Sequence, residues 1–131
     1  MRVEHRELLE RVRPARRVLI VDDHASFRRL SRRLFEEAGY VVVGEAVDGR
    51  SAFEAAERLA PDLVLLDVML PDVSGLEVSR MLAALPVQMS VLLVSSRSAH
   101  DLGVESDAAL RFLRKDELSL ERLREIFPSE P

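Results

Sequence analysis

The chain has no cysteine at all. That excludes disulfides, thiolate metal sites and thiol nucleophiles, and it suits an intracellular setting. No apolar run approaches the roughly 18 residues that a membrane span needs, and the first segment is too charged to carry the apolar region of a secretory signal. A cytoplasmic protein with no membrane association is therefore expected. Charge of either sign is nearly balanced, with a net of -4, so no polyanionic or polycationic partner is implied. No repeat, linker or low-complexity tract is present, and no glycine-rich loop follows the first apolar run, which disfavours a dinucleotide-binding site. The 131 residues, 47% of them hydrophobic and 32% charged, are enough for one domain with a full core.

What is present is organised around residues 62–75. Leu63-Val64-Leu65-Leu66 reads as a strand buried on both faces, as in a parallel sheet covered by helices. It ends at a carboxylate, Asp67, before Pro71 and Gly75 break the pattern. Ser74 with Glu77 spells a capping box, opening a helix whose apolar stripe is Leu76, Met81, Leu82 and Leu85. Val18-Leu19-Ile20-Val21 repeats the buried-strand pattern and also ends in acid, Asp22 and Asp23, followed by His24. The spacing predicts a helix over 25–38, with Phe27, Leu30, Leu34, Phe35 and Ala38 on one face and Gly39 as its stop. Its outer face carries Arg28, Arg29, Arg32 and Arg33 ahead of Glu36 and Glu37, with Arg32 and Glu36 one turn apart.

A strand over 40–47 and a helix from Asp48-Gly49 to Pro61 continue the alternation. A fourth strand over 89–94 ends at Ser95. The stretch 98–109 contains Gly103 and little apolar periodicity, so only a short or poorly formed helix is expected there. Residues 110–113 form a short fifth strand leading to Lys115, and Ser119 caps a last helix bearing Leu120, Leu123, Ile126 and Phe127. Residues 1–13 carry a weak helical pattern. A partner or a second copy of the chain could dock there, giving a homodimer, although a solvated extension is the simpler reading.

Five strands alternating with helices imply a doubly wound α/β fold, a parallel sheet with helices on both faces. All strand C-termini then share one edge, which brings Asp22, Asp23, Asp67, Ser95 and Lys115 together. Clustered carboxylates repel; two charges ~4 Å apart cost about 4 kcal/mol at an effective dielectric of 20. Mg²⁺ is the natural counter-ion, being hard and oxygen-seeking. With an ammonium and a hydroxyl alongside, the set suits phosphoryl transfer, with Asp67 as the nucleophile. Taken singly, each residue is as well explained as a turn former, a cap or a solvated charge; it is their joint placement that carries the reading. His24 follows the acidic pair and could touch the rim of the site, although a surface or capping histidine is the simpler reading. His5 and His100 have no ligand-like spacing, so no transition-metal site is expected.

These residues resemble the receiver domain of bacterial two-component response regulators. The resemblance rests on Val21-Asp22-Asp23, on Asp67-Val68-Met69-Leu70-Pro71-Asp72 with Gly75, on Val94-Ser95-Ser96 and on Phe112-Leu113-Arg114-Lys115. It implies a flavodoxin-like sheet of order 2-1-3-4-5 and places the domain over 17–131, after an N-terminal extension of residues 1–16. It implies that Asp67 accepts a phosphoryl group from a sensor histidine kinase or phosphotransfer protein. Asp23, Asp67 and the Met69 backbone carbonyl would hold Mg²⁺, with Asp22 acting through a water. Lys115 and Ser95 would contact the phosphoryl group, and Phe112 matches the family's switch aromatic. The output would be a change in a protein-interaction surface for a downstream target. No DNA-binding domain is visible in this chain, and no enzymatic output is expected.

Three features depart from the family pattern. Asp116 follows Lys115 where a proline often stands, so no cis bond is expected. The segment from Ser95 to Lys115 is shorter than usual, and the N-terminal extension lies outside the motif set. Two other readings are a receiver-like scaffold that works without phosphorylation and a haloacid-dehalogenase-type phosphatase. The latter wants a second acid two residues after its nucleophile, where this chain has Met69.

Overall fold

The structure is a computed structural model that describes residues 16–104 and 111–126. In chain order the elements are β1 (Arg17–Val21), α1 (Ala25–Glu37), β2 (Val41–Ala46), α2 (Gly49–Leu59), β3 (Leu63–Asp67), α3 (Gly75–Ala83), β4 (Ser90–Ser95), α4 (Ala99–Leu102), β5 (Arg111–Arg114) and α5 (Leu120–Ile126). A single 3-10 turn, Lys115–Glu117, separates the last two. The five strands form one parallel sheet in the order β2-β1-β3-β4-β5. No helix among the described residues is long and apolar enough to cross a membrane.

Because a strand turns successive side chains to opposite faces, each apolar run feeds two cores. Val18, Ile20, Leu63 and Leu65 meet Phe27 and Phe35 of α1 and Leu123 of α5 on one face. Leu19, Val21, Val64 and Leu66 meet Ala52 and Ala56 of α2 and Val78 and Leu82 of α3 on the other. All four apolar residues of β3 before Asp67 are essentially inaccessible, which is why that strand reads as continuously hydrophobic.

Chain punctuation follows the expected chemistry, with corrections. Gly39 ends α1 at φ +91°, where only glycine is unstrained. Asp48 opens α2 through a capping box with Ser51. Ala60 closes that helix in the left-handed region at φ 46°, a position that carried no glycine signal. Ser74 does cap α3, accepting from the Leu76 amide at 3.1 Å, but the expected box with Glu77 is not formed. Glu77 instead pairs with Arg80 one turn on, at 3.1 Å. The buried face of α3 is set by Val78 and Leu82, while Met81, expected in the stripe, is 39% exposed. The helix after β4 is short, as its composition suggests: α4 has four residues and stops at Gly103, φ +71°. Ser119 accepts from the Arg122 amide at 3.1 Å at the start of α5. Leu110, Phe127 and the N-terminal helical pattern lie outside the described residues.

Gly75 is the tightest point of the fold. Its amide donates to the Val68 carbonyl at 2.8 Å, and a Cβ there would run into the Asp67 carbonyl oxygen and come within 2.8 Å of Val68 Cα. Both are backbone atoms of the turn that carries Asp67, so neither can swing aside. Gly75→Ala should lower stability by about 1–3 kcal/mol, as overpacking of a closed site does. A urea denaturation midpoint that falls with an unchanged m-value would show it.

Candidate functional site

The sheet register builds the site. Val21 pairs with Leu66, so the next residues on β1 and β3, Asp22 and Asp67, lie side by side at the carboxyl edge. Asp67 pairs with Val94, and Ser95 pairs with Arg114, which puts Ser95 and Lys115 just beyond on β4 and β5. Four strands thus deliver their end residues to one place. Asp22, Asp67 and Ser95 are buried, at 0%, 1% and 0% exposure.

Lys115 bridges the two buried acids. Its Nζ lies 2.6 Å from Asp22 Oδ2 and 3.2 Å from Asp67 Oδ2. The shorter contact is an ion pair without hydrogen-bond alignment, so Asp22 Oδ2 is buried and lacks an aligned donor. The same ammonium stands 4.7 Å above the Phe27 ring, a cation–π contact that keeps the charge against the α1 face. The other oxygens are oriented by backbone: Asp67 Oδ1 accepts from the Met69 amide at 3.0 Å, and Asp22 Oδ1 from the His24 amide at 2.8 Å. Ser95 Oγ accepts from the Arg97 amide at 3.1 Å, which leaves its own proton to donate.

The rim contains residues that the spacing did not single out. Asp22, Asp23, His24 and Asp67 each offer a ligand atom, and these lie within 4.8 Å of one another. His24 Nδ1 is 2.9 Å from Asp22 Oδ1 and 3.1 Å from Asp23 Oδ1. Its position directly after an acid pair at a strand end was the available signal. Arg28 Nη1 donates to the Asp22 carbonyl at 2.8 Å, while its Nε pairs with Glu45 of β2 at 3.0 Å. Arg32 meets Glu36 at 3.4 Å, as its spacing suggests, but its nearer partner is Glu45, at 2.7 Å. Hydrogen bonding from Arg32 holds the Glu45 carboxyl below its ordinary range, with Arg28 adding to the effect.

Asp72 is a cap and not a ligand: Oδ1 accepts from the Gly49 amide at 2.7 Å and Oδ2 from the Arg50 amide at 3.0 Å, fastening the loop after β3 to the start of α2. Those amide bonds, that of Gly49 first, lower its carboxyl pKa. Phe112 is half-buried and packs with the α2/α3 core, one residue before the buried Leu113.

The family model of the response regulator receiver domain matches residues 18–127. The chain belongs to that family. Phosphorylation on an aspartate is characteristic of receiver domains, and receiver domains bind Mg²⁺ at an acidic cluster. The chain is 37% identical over 122 residues to the transcriptional regulatory protein PdtaR of Mycobacterium tuberculosis, covering 85% of this chain and 60% of that protein. It is 32% identical over 91 residues to the chemotaxis protein CheY of Thermotoga maritima, covering 70% of this chain and 76% of CheY. Among solved structures, a CheY-like receiver domain from Methylobacillus flagellatus superposes with a TM-score of 0.76 at 28% identity, covering 86% of this chain and 96% of that one. Several other curated relatives are longer, and the matched part of this chain spans 40% of the length of one and as little as 17% of another.

Burial pushes the Asp67 carboxyl pKa up, and the neighbouring Asp22 charge adds to this; the Met69 amide and Lys115 oppose the rise without cancelling it. The folded protein therefore holds this proton at a pH where the unfolded chain has lost it. The stability that results is complete below the ordinary carboxylate range, about 4, and is lost as pH rises through the raised value. In metal-free buffer Asp67→Asn should melt above the parent at neutral pH, and the gap should close as pH falls below that range. Tm measured across pH would check this.

Proposed function

We propose that Asp67 is the phosphoacceptor of this receiver and that its acid site is the divalent-metal site of the transfer. The observation that carries the reading is the buried Asp67 beside Asp22, with the Lys115 ammonium against both. In the proposed reaction a carboxylate oxygen of Asp67 attacks the phosphorus of a phosphohistidine on a sensor kinase or phosphotransfer protein. A P–O bond forms, the P–N bond breaks, and the departing imidazole takes a proton from solvent.

The donor set suits Mg²⁺. Asp22, Asp23, Asp67 and the Met69 backbone carbonyl are hard oxygen donors, and the buried Asp22 Oδ2 has no aligned hydrogen bond. Bound there, the ion would neutralise the charge that gathers on the phosphoryl oxygens. Lys115 would turn from Asp22 toward the new phosphate dianion, and the Ser95 hydroxyl would donate to one of its oxygens. Both moves draw the ends of β4 and β5 toward β3 and bias a two-state surface, with Phe112 between that edge and the α2/α3 core. The partners are a histidine kinase or phosphotransfer protein and a downstream protein target, in the cytoplasm. The receiver spans 17–131 after an extension of residues 1–16, and its output is signalling, not catalysis.

Intact mass after incubation with Mg²⁺ and acetyl phosphate tests the central step. One phosphoryl group should appear on the parent and none on Asp67→Asn. A group retained by the variant would move the acceptor elsewhere, and no gain together with no Mg²⁺ binding would favour the phosphorylation-independent scaffold. Lys115→Ala should still take up phosphate while losing the amide chemical-shift changes that spread into β4 and β5 in the parent. Unchanged shifts between the phosphorylated forms would remove Lys115 from the switch.

A further inference from the structure

Arg28 of α1 meets the acid site at a backbone carbonyl. Its Nη1 donates to the Asp22 carbonyl oxygen at 2.8 Å, and its Nε pairs with Glu45 Oε1 at 3.0 Å. The side chain is only 19% exposed, so it is largely enclosed by these partners. The carbonyl it holds belongs to the peptide that joins Asp22 to Asp23. Because a peptide is planar, holding its oxygen restricts rotation on both sides and sets the direction in which the Asp23 carboxylate leaves the chain. The Asp22 amide is held in turn by the Ala46 carbonyl at 3.0 Å. Both anchors therefore come from the end of β2, Ala46 directly and Glu45 through Arg28. Glu45 is shared between two arginines: Oε2 accepts from Arg32 Nη2 at 2.7 Å and Nε at 3.0 Å, and Oε1 faces Arg28. The Arg28 fork is thus turned with its charge matched by Glu45 and another of its donors on a neutral carbonyl.

We infer that Arg28, clamped by Glu45, is a positioning residue that orients the Asp22–Asp23 peptide so that both carboxylates face one divalent ion. The inference rests on the proposed metal site of Asp22, Asp23 and Asp67. Arg28 acts through the two acids and takes no part in the phosphoryl chemistry itself. The clamp has a second effect. A guanidinium beside clustered carboxylates would compete with a metal ion for them, and Glu45 offsets that charge. The end of the edge strand β2 thereby helps to set the metal affinity of a site built on β1 and β3.

Mg²⁺ titrated into the full chain and followed by amide chemical shifts gives the affinity, and melting of the same metal-free samples gives the stability. Arg28→Ala should bind Mg²⁺ about tenfold or more weakly. Its phosphorylation by acetyl phosphate should be slow at low Mg²⁺ and approach the parent rate once Mg²⁺ saturates. Glu45→Gln keeps the size of the clamp and removes its charge at a partly exposed position, so it should fold, and it should weaken Mg²⁺ binding in the same direction. Added to Arg28→Ala it should change the affinity little further, because the two side chains act as a unit. A purely structural role would lower Tm and leave Mg²⁺ affinity as in the parent; that outcome, or additive losses from the two substitutions, would overturn the assignment of Arg28 alone. If the parent bound no Mg²⁺, the metal site itself would fall, and this inference with it.

Discussion

The Lys115 ammonium, 2.6 Å from Asp22 and 3.2 Å from Asp67, is the contact on which the carboxyl edge of this sheet depends. Two buried carboxylates on adjacent strands repel each other strongly, and burial raises the pKa of the Asp67 carboxyl. A cation supplied from the far side of the sheet lets both stay in place. It ties together the ends of β1, β3 and β5, although β5 pairs with neither of the other two. Such a bridge is more a constraint than a source of net stability. Removing the Lys115 ammonium leaves buried carboxylate charge without compensation, which costs about 3–5 kcal/mol, whereas the intact set roughly offsets its own desolvation.

The contacts around that bridge hold the acids from both faces. On one side Gly75 lets α3 approach so closely that its amide bonds to the Val68 carbonyl, fixing the turn from which Asp67 projects. Asp72 in the same loop fastens it to α2. On the other side Arg28 holds the Asp22 carbonyl and is itself held by Glu45 of the edge strand. The acidic residues are thereby preorganised by neutral backbone and remote charge pairs, so a change of charge at Asp67 meets a held frame with the Lys115 ammonium against it. A site of that kind can turn a local electrostatic event into a movement of strand ends.

Membership of the receiver family sets the expectation of a signalling module, and the relatives show how such modules are used. The chain covers most of CheY and only part of the longer regulators. In this receiver an imidazole stands at the mouth of the acid site, and α4 has four residues.

Sequence by itself determined the sheet, its two cores and the edge where chemistry gathers. Runs such as Val18 to Val21 and Leu63 to Leu66 are hydrophobic on both faces, and a strand buried that way belongs in a covered parallel sheet, whose C-terminal ends must align. The weakness of α4 was legible too, since Gly103 and the lack of periodicity act locally. Only the tertiary structure decided who pairs with whom. Glu77 was free to close a capping box but met Arg80; Arg32 had Glu36 one turn away but lies closer to Glu45, which β2 brings alongside α1. Asp72 caps a helix 23 residues earlier, and His24 turns its ring into the acid pair. Burial periodicity is written along the chain because it depends on neighbours a few residues away. The choice of a charged or hydrogen-bonding partner depends on distances through space, which exist only once the strands have been set in register.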